Sequence, residues 1–256
     1  MTRHIDFDAI ENFRDCGGYA TACGRGLKAG RVYRSGHHAH ATEADVARLQ
    51  ALGLAAIVDL RQPDERAREP SRRWGGFDAL VIESDLLATT NWVAELEVSP
   101  LTAEALVADT MRHYRMNVFE PRLIDLFSRF LHSVGTAEGA VVVHCAAGKD
   151  RTGLACAFLH HIAGVHHDDM IADYLLTNDE SRLERKMAQA GGFVERLLGR
   201  RPSDAALRAW VQVYLEFLDA AFDEIRGRCG SVDGYLEAVL GVDAVLRERI
   251  HDRLLG

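Results

Sequence analysis

The chain has 256 residues, with 30 Lys and Arg against 38 Asp and Glu, for a formal net charge of −8. Its 48% hydrophobic and 27% charged residues exclude a disordered or collagen-like chain, and the acidic balance argues against a protein built to neutralise nucleic-acid phosphates. The five cysteines, Cys16, Cys23, Cys145, Cys156 and Cys229, form no CxxC pair, which argues against a disulfide scaffold and for a reducing compartment.

The opening MTRHIDFDAIENFRD places acids where a secretory signal carries its apolar stretch. No later run approaches the roughly 20 apolar residues of a membrane helix. A cytoplasmic protein without integral membrane association is expected, with export by a route lacking an N-terminal signature left open. Val32–Tyr33–Arg34 reads as a short strand. Thr42 then caps a helix carrying Val46, Leu49 and Leu52, stopped by Gly53. The continuous apolar runs 54–60 and 139–144 suit strands buried on both faces, and 79–82 suits a shorter one. Helical spacing is found over 102–114, 122–132 and 152–163, the last closed by Gly164. Beyond it the spacing predicts helices over 168–176, 181–187, 204–228, 231–240 and 243–255. The longest, 204–228, would have a continuous apolar face running from Leu207 and Trp210 through Tyr214 to Ile225. Strands alternating with helices, followed by helices alone, predict an α/β fold with a central, mainly parallel sheet flanked by helices and added C-terminal helices. One domain over 1–256 is expected, with helical additions at about 86–118 and 177–256.

The run HCAAGKDRTG, residues 144–153, joins the second long strand to a predicted helix. A strand-to-helix turn with inward backbone N–H groups and a helix N-terminus behind it forms an oxyanion cradle. Cys145 opens that turn and Arg151 closes it. Loop amides, helix dipole and guanidinium all favour a thiolate at Cys145, placed for in-line attack on phosphorus. Arg151 would hold two phosphoryl oxygens with its planar fork, and Ala146, Ala147 and Gly148 would supply backbone donors. Gly148 permits a backbone conformation that a Cβ hinders. Thr152 would donate to the sulfur, Gly153 lets the helix start close to the loop, and His144 would orient the loop by hydrogen bonding.

The likeness extends along the chain. With NFRDCGGY at 12–19, GRVYRSG at 30–36, IVDLR at 57–61, the loop at 144–153 and DYLLT at 173–177, the sequence resembles the bacterial tyrosine phosphatase family of the lipid-phosphatase-like kind. That family lies within the Cys-x5-Arg superfamily of tyrosine and dual-specificity phosphatases. Cys16 stands where the family commonly has Leu. The resemblance implies a phosphatase acting on phosphotyrosine, and on phosphoserine or phosphothreonine, through a cysteinyl phosphate. It needs neither metal nor cofactor. The alternative substrate is a phosphoinositide, which the resemblance associates with a lysine at Lys149. It also implies that Asp150 is the general acid, a role expected to contribute around 10²–10⁴-fold.

Other readings stand beside these. Asp150 could instead cap its helix, leaving Asp109 or Asp85 as the acid, and Lys149 could be a solvated rim charge. Asp59 and Arg61 follow a buried strand and are expected to support the loop, as are Arg14 and Asp15. His37, His38 and His40 lack the spacing of a metal motif. Residues 86–118 and 177–230 could cover the site or simply complete the core. A rhodanese-like sulfurtransferase and a catalytically silent phosphate-binding module are the readings from other classes. The expected partners are a phosphorylated protein or phosphoinositide, and no nucleic acid.

Overall fold

The computed structural model describes residues 3–89 and 92–256. Positions 90 and 91 of the helical addition expected over 86–118 therefore lie outside the described residues, as do residues 1 and 2 of the expected domain. Five strands form one sheet: β1 (Arg14–Asp15), β2 (Val32–Ser35), β3 (Leu54–Asp59), β4 (Leu80–Ile82) and β5 (Ala140–His144). Their order is β1-β2-β5-β3-β4, parallel except for β1. The expected α/β sheet is thus present, with β5 at its centre.

The apolar runs are continuous because both faces are covered. Val141 and Val143 enter one core cluster, and Ala140 and Val142 the other. Helix α1 (Glu43–Ala51) packs Val46 and Leu49 on the second face, after a capping box at Thr42 and Asp45. The first face is covered by α5 (Pro121–Thr136), α6 (Asp150–Ala163), α10 (Leu215–Cys229), α11 (Val232–Ala238) and α12 (Ala244–Leu254). Parallel strands bring their carboxyl ends to one edge: Ser35 and Asp59 both pair with His144. The loops after β2, β3 and β5 therefore emerge side by side.

A third set of helices lies beyond that edge: α3 (Trp92–Val98), α4 (Ala103–Asn117), α8 (Glu180–Leu198) and α9 (Asp204–Val211), with a small apolar cluster of their own. Helix α7 (His167–Leu175), whose Met170 and Tyr174 join the first core cluster, leads through a short 3-10 turn, Leu176–Asn178, to α8. Among the described residues no helix is long and apolar enough to cross a membrane. The strand β1 and helix α2 (Pro63–Arg68) were not anticipated, being two and six residues long.

Two helical readings need correction. The short helix expected over 181–187 runs on to Leu198 through Gly191, where a Cβ would come within 2.7 Å of the Arg201 guanidinium. The single helix expected over 204–228 is two helices, broken at residues 212–214. The Asn178 amide explains the break. It donates to the Val213 carbonyl and accepts from the Val213 N–H, both at 2.8 Å, satisfying the two groups a continuous helix would pair internally.

Removing that amide in Asn178→Ala leaves both Val213 groups without their partner. The expected cost is about 1–3 kcal/mol of unfolding free energy, to be measured by urea denaturation.

Candidate active site

The loop after β5 is held from outside by its carbonyl oxygens. His144 Nδ1–H donates to the Cys145 carbonyl at 3.4 Å, which fixes the tautomer of this ring. The Ala146 carbonyl accepts from the His37 backbone N–H at 3.1 Å, and the Ala147 carbonyl from Arg182 Nη2 at 3.2 Å. The Gly148 carbonyl accepts from Asn12 Nδ2 at 2.8 Å and Arg34 Nη2 at 3.0 Å. In a trans peptide the N–H points opposite to the C=O. Four outward carbonyls thus turn the N–H groups of Ala146, Ala147, Gly148 and Lys149 toward the loop interior. Gly148 completes the turn at φ +64°, with Ser35 so close that a Cβ would lie 2.4 Å from its carbonyl.

The cations behind the loop are neutralised by Asp173. Its carboxylate meets Arg14 at 3.4 Å and Arg34 at 3.1 Å and accepts from the Tyr19 hydroxyl at 3.2 Å. Burial works against ionising Asp173, but the two guanidinium groups outweigh it and hold the carboxyl below the usual range. Asp15 accepts from the Gly17 and Gly30 backbone N–H groups, so it fixes backbone rather than touching the loop.

Cys145 is buried at the floor of a cavity of about 500 Å³. Ala146, Ala147, Lys149, Asp150 and Arg151 also line it. Arg151 meets Glu65 of α2 through two parallel bonds, Nη1 at 2.6 Å and Nη2 at 2.9 Å, and donates to the Leu60 carbonyl at 3.1 Å. Glu65 is buried, which raises its carboxyl, yet Arg151 outweighs this and brings it down to about 2. Among the described residues Thr152 Oγ1 is buried with no hydrogen-bond partner, so the expected bond to sulfur is not formed and the hydroxyl is uncommitted. Gly153 admits the Tyr174 ring, which a Cβ would meet at 2.8 Å.

Asp59 and Arg61 form a buried pair below the loop, at 2.7 Å, with Arg61 reaching on to the Glu69 carbonyl and Ser71. Neither lines the cavity. His144 lies 3.7 Å from Asp59 and stacks on His38. Burial lowers His144 to about 4, so the ring is neutral near pH 7.

Lys149 is not a solvated rim charge. It is buried, and its ammonium donates to the Trp210 carbonyl and, at 3.2 Å, to the Gln212 carbonyl, the groups freed by the helix break. It also lies 3.5 Å from Asp150 Oδ2. Asp150 occupies the first turn of α6 and accepts from Tyr114 Oη at Oδ1, 3.0 Å. Asp109 lines the cavity but pairs with Arg112 at 3.3 Å, whereas Asp85 is exposed, paired with Arg66 and outside the cavity lining. Helices α3, α4, α8 and α9 wall the cavity through Leu96, Tyr114, Lys186 and Trp210, among others.

His37, His40 and Glu69 come together, with His40 Nε2 at 3.2 Å and His37 Nε2 at 3.6 Å from the carboxylate. The Ala39 N–H donates to His37 Nδ1, which leaves the ring proton on Nε2, facing Glu69. Cys16 and Cys156 lie 3.6 Å apart in the core, away from the cavity.

Glu65, Arg182 and Tyr114 are site residues that motif reasoning passed over, and Asn12 and Tyr174 stood in the quoted motifs without an assigned role. For Glu65 a signal existed: Gln62 and Glu65 form a capping box that begins two residues beyond the expected strand.

A family model described as the tyrosine phosphatase family matches residues 5–256. A Cupriavidus necator protein provisionally named a tyrosine-protein phosphatase is 35% identical over 247 residues, 94% of this chain and 86% of that protein. The triple specificity protein phosphatase PtpB of Mycobacterium tuberculosis is 30% identical over 277 aligned positions, 96% of each chain. A tyrosine-protein phosphatase of Nostoc commune is 30% identical over 148 residues, 53% of this chain and 44% of that protein.

Two outcomes are expected from this geometry. Glu65→Gln removes the charge that orients Arg151, and affinity for inorganic phosphate should fall about tenfold or more, read by calorimetry, on the roughly 1.5–3 kcal/mol of a charged hydrogen bond. Acid should destabilise the fold in two windows. The neutral His144 ring contributes fully above its ordinary 6.5 and loses that contribution as pH falls toward about 4. Glu65 contributes fully above 4.5 and loses its share as pH falls toward about 2. Melting temperature should therefore drop from pH 7 downward, and Glu65→Gln should flatten only the lower window.

Proposed function

The chain belongs to the tyrosine phosphatase family, and on that premise we propose that it hydrolyses phosphotyrosine through a phosphocysteine formed on Cys145. The observation that carries this reading is the loop itself, with four outward carbonyls, Cys145 at its floor and Arg151 at its rim. In the first step the Cys145 thiolate attacks phosphorus and the bond to the tyrosyl oxygen breaks. The inward amides and Arg151 take up the charge on the phosphoryl oxygens. Glu65 grips the Nη1–Nη2 end of the guanidinium, which leaves its Nε–Nη2 edge to the substrate. Asp150 gives its proton to the leaving oxygen.

In the second step a water attacks phosphorus, and Asp150 takes the proton that the water loses. The sulfur departs as thiolate, and the uncommitted Thr152 hydroxyl is available to donate to it. Inorganic phosphate is released and the cysteine is regenerated. Lys149, tied to the end of α9, acts as fixed positive potential beside the loop. His144, Asp59 and Arg61 support the loop from below.

A second substrate class has an observation in its favour. Arg182 and Lys186 also line the cavity, so a substrate bearing further anionic groups, such as a phosphoinositide, would meet additional cations. The triple specificity in the name of the Mycobacterium tuberculosis relative suits the same breadth. A panel of phosphotyrosine, phosphoserine and phosphothreonine peptides and phosphoinositides ranks the classes.

Cys145→Ser is expected to abolish turnover of 4-nitrophenyl phosphate while leaving phosphate binding measurable. Retained turnover would overturn the phosphocysteine route. Asp150→Asn should lower kcat/KM for phenyl phosphate about 10²-fold or more, the range of general acid catalysis.

A further inference from the structure

We propose that Tyr114 is a positioning residue for Asp150, clamping Oδ1 through its hydroxyl and leaving Oδ2 as the oxygen that exchanges the proton. The proposal rests on the acid and base role given to Asp150 above. Tyr114 comes from α4, the helix that also carries Asp109, whose carboxylate pairs with Arg112.

The geometry is directional. Tyr114 Oη lies 3.0 Å from Asp150 Oδ1 and 2.7 Å from Tyr174 Oη. A phenol has one proton. With that of Tyr114 on the carboxyl, the bond between the two tyrosines must be donated by Tyr174. Asp150 Oδ1 is then committed as an acceptor, and a proton on this carboxyl belongs on Oδ2. Both rings are nearly inaccessible, at 1% and 2% exposure. Tyr114 packs on Phe217 at 5.4 Å between ring centres, and Tyr174 fills the space over Gly153. Burial, followed by the nearby Asp150 charge, pushes both phenols well above their usual range, so they stay protonated donors through any working pH.

Several other attractions act on this carboxyl. In the first turn of α6 a carboxylate is drawn back to the free N–H groups and the positive end of the helix. Lys149 lies on the Oδ2 side, and the charges of Arg151 and of Arg182 on α8 also act on Asp150. Trp210 and Gln212 hold the Lys149 ammonium, and Glu65 holds Arg151, so those cations are anchored elsewhere. The Tyr114 bond fixes Oδ1 of a carboxyl that lines the cavity.

The test uses the full chain and kcat/KM, which reports transfer to Cys145, for 4-nitrophenyl phosphate and for phenyl phosphate. The first has a good leaving group that needs little protonation; the second does not. Tyr114→Phe, which keeps the ring, is expected to lose about tenfold on phenyl phosphate and little on 4-nitrophenyl phosphate, the loss of one charged hydrogen bond. Tyr174→Phe should show the same pattern more weakly. In an Asp150→Asn background Tyr114→Phe should cost nothing further. A loss equal for both substrates, a loss that persists in the Asp150→Asn background, or no loss at all overturns the positioning role and leaves the acid with Asp150. Full phenyl phosphate turnover by Asp150→Asn alone removes the acid role, and the proposal with it.

Discussion

The site depends on four backbone carbonyls being pulled outward. A short loop of Ala, Ala and Gly has no side chains able to shape it, so its shape must be imposed on the main chain. Three of the four carbonyls are reached from distant segments by Asn12, Arg34, Arg182 and the His37 backbone N–H, and the adjacent His144 holds the Cys145 carbonyl. Buried guanidinium groups next to a carbonyl are costly unless compensated, and Asp173 supplies the compensation for two of them. Removing Asp173 would strand two cations under the loop. Asn12, Arg14, Arg34 and Asp173 stand in the motifs that accompany the loop, and none of them lines the cavity.

Charge is then organised in shells around that cradle. The chain carries −8 overall, yet the loop is surrounded by Arg151, Lys149, Arg34 and Arg182, each tied to a carbonyl or carboxylate that fixes its direction. Glu65 and Asp59 work as counter-ions: one orients the cation at the rim, the other neutralises Arg61 below. Pre-oriented charge in a cavity needs no reorganisation when a phosphoryl group arrives, which is the condition for electrostatic stabilisation to be effective.

The helices beyond the sheet edge are connected to the loop by polar contacts. The break between α9 and α10, fixed by Asn178, frees the carbonyls that hold Lys149. Helix α4 contributes the Tyr114 hydroxyl to Asp150. The apolar periodicity over 204–228 concealed that break, because Leu207, Trp210, Phe217 and Ile225 keep helical spacing on both sides of it. The signal for a stop was a side chain 35 residues away, out of reach of any local pattern.

The amino-acid sequence determined four of the strands, the burial of the two long ones on both faces, and the strand–loop–helix frame that carries Cys145 and Arg151. Those features are local: periodicity, caps and motif spacing act within a turn or a strand. Tertiary structure decided what each polar side chain touches. Lys149 reads as a rim charge until the carbonyls at the end of α9 are brought to it. Glu65 is an ordinary helix-start glutamate until α2 is packed against Arg151, and Tyr114 is a core aromatic until its hydroxyl meets Asp150. Buried polar groups take partners by position in space, and sequence distance carries no record of that choice.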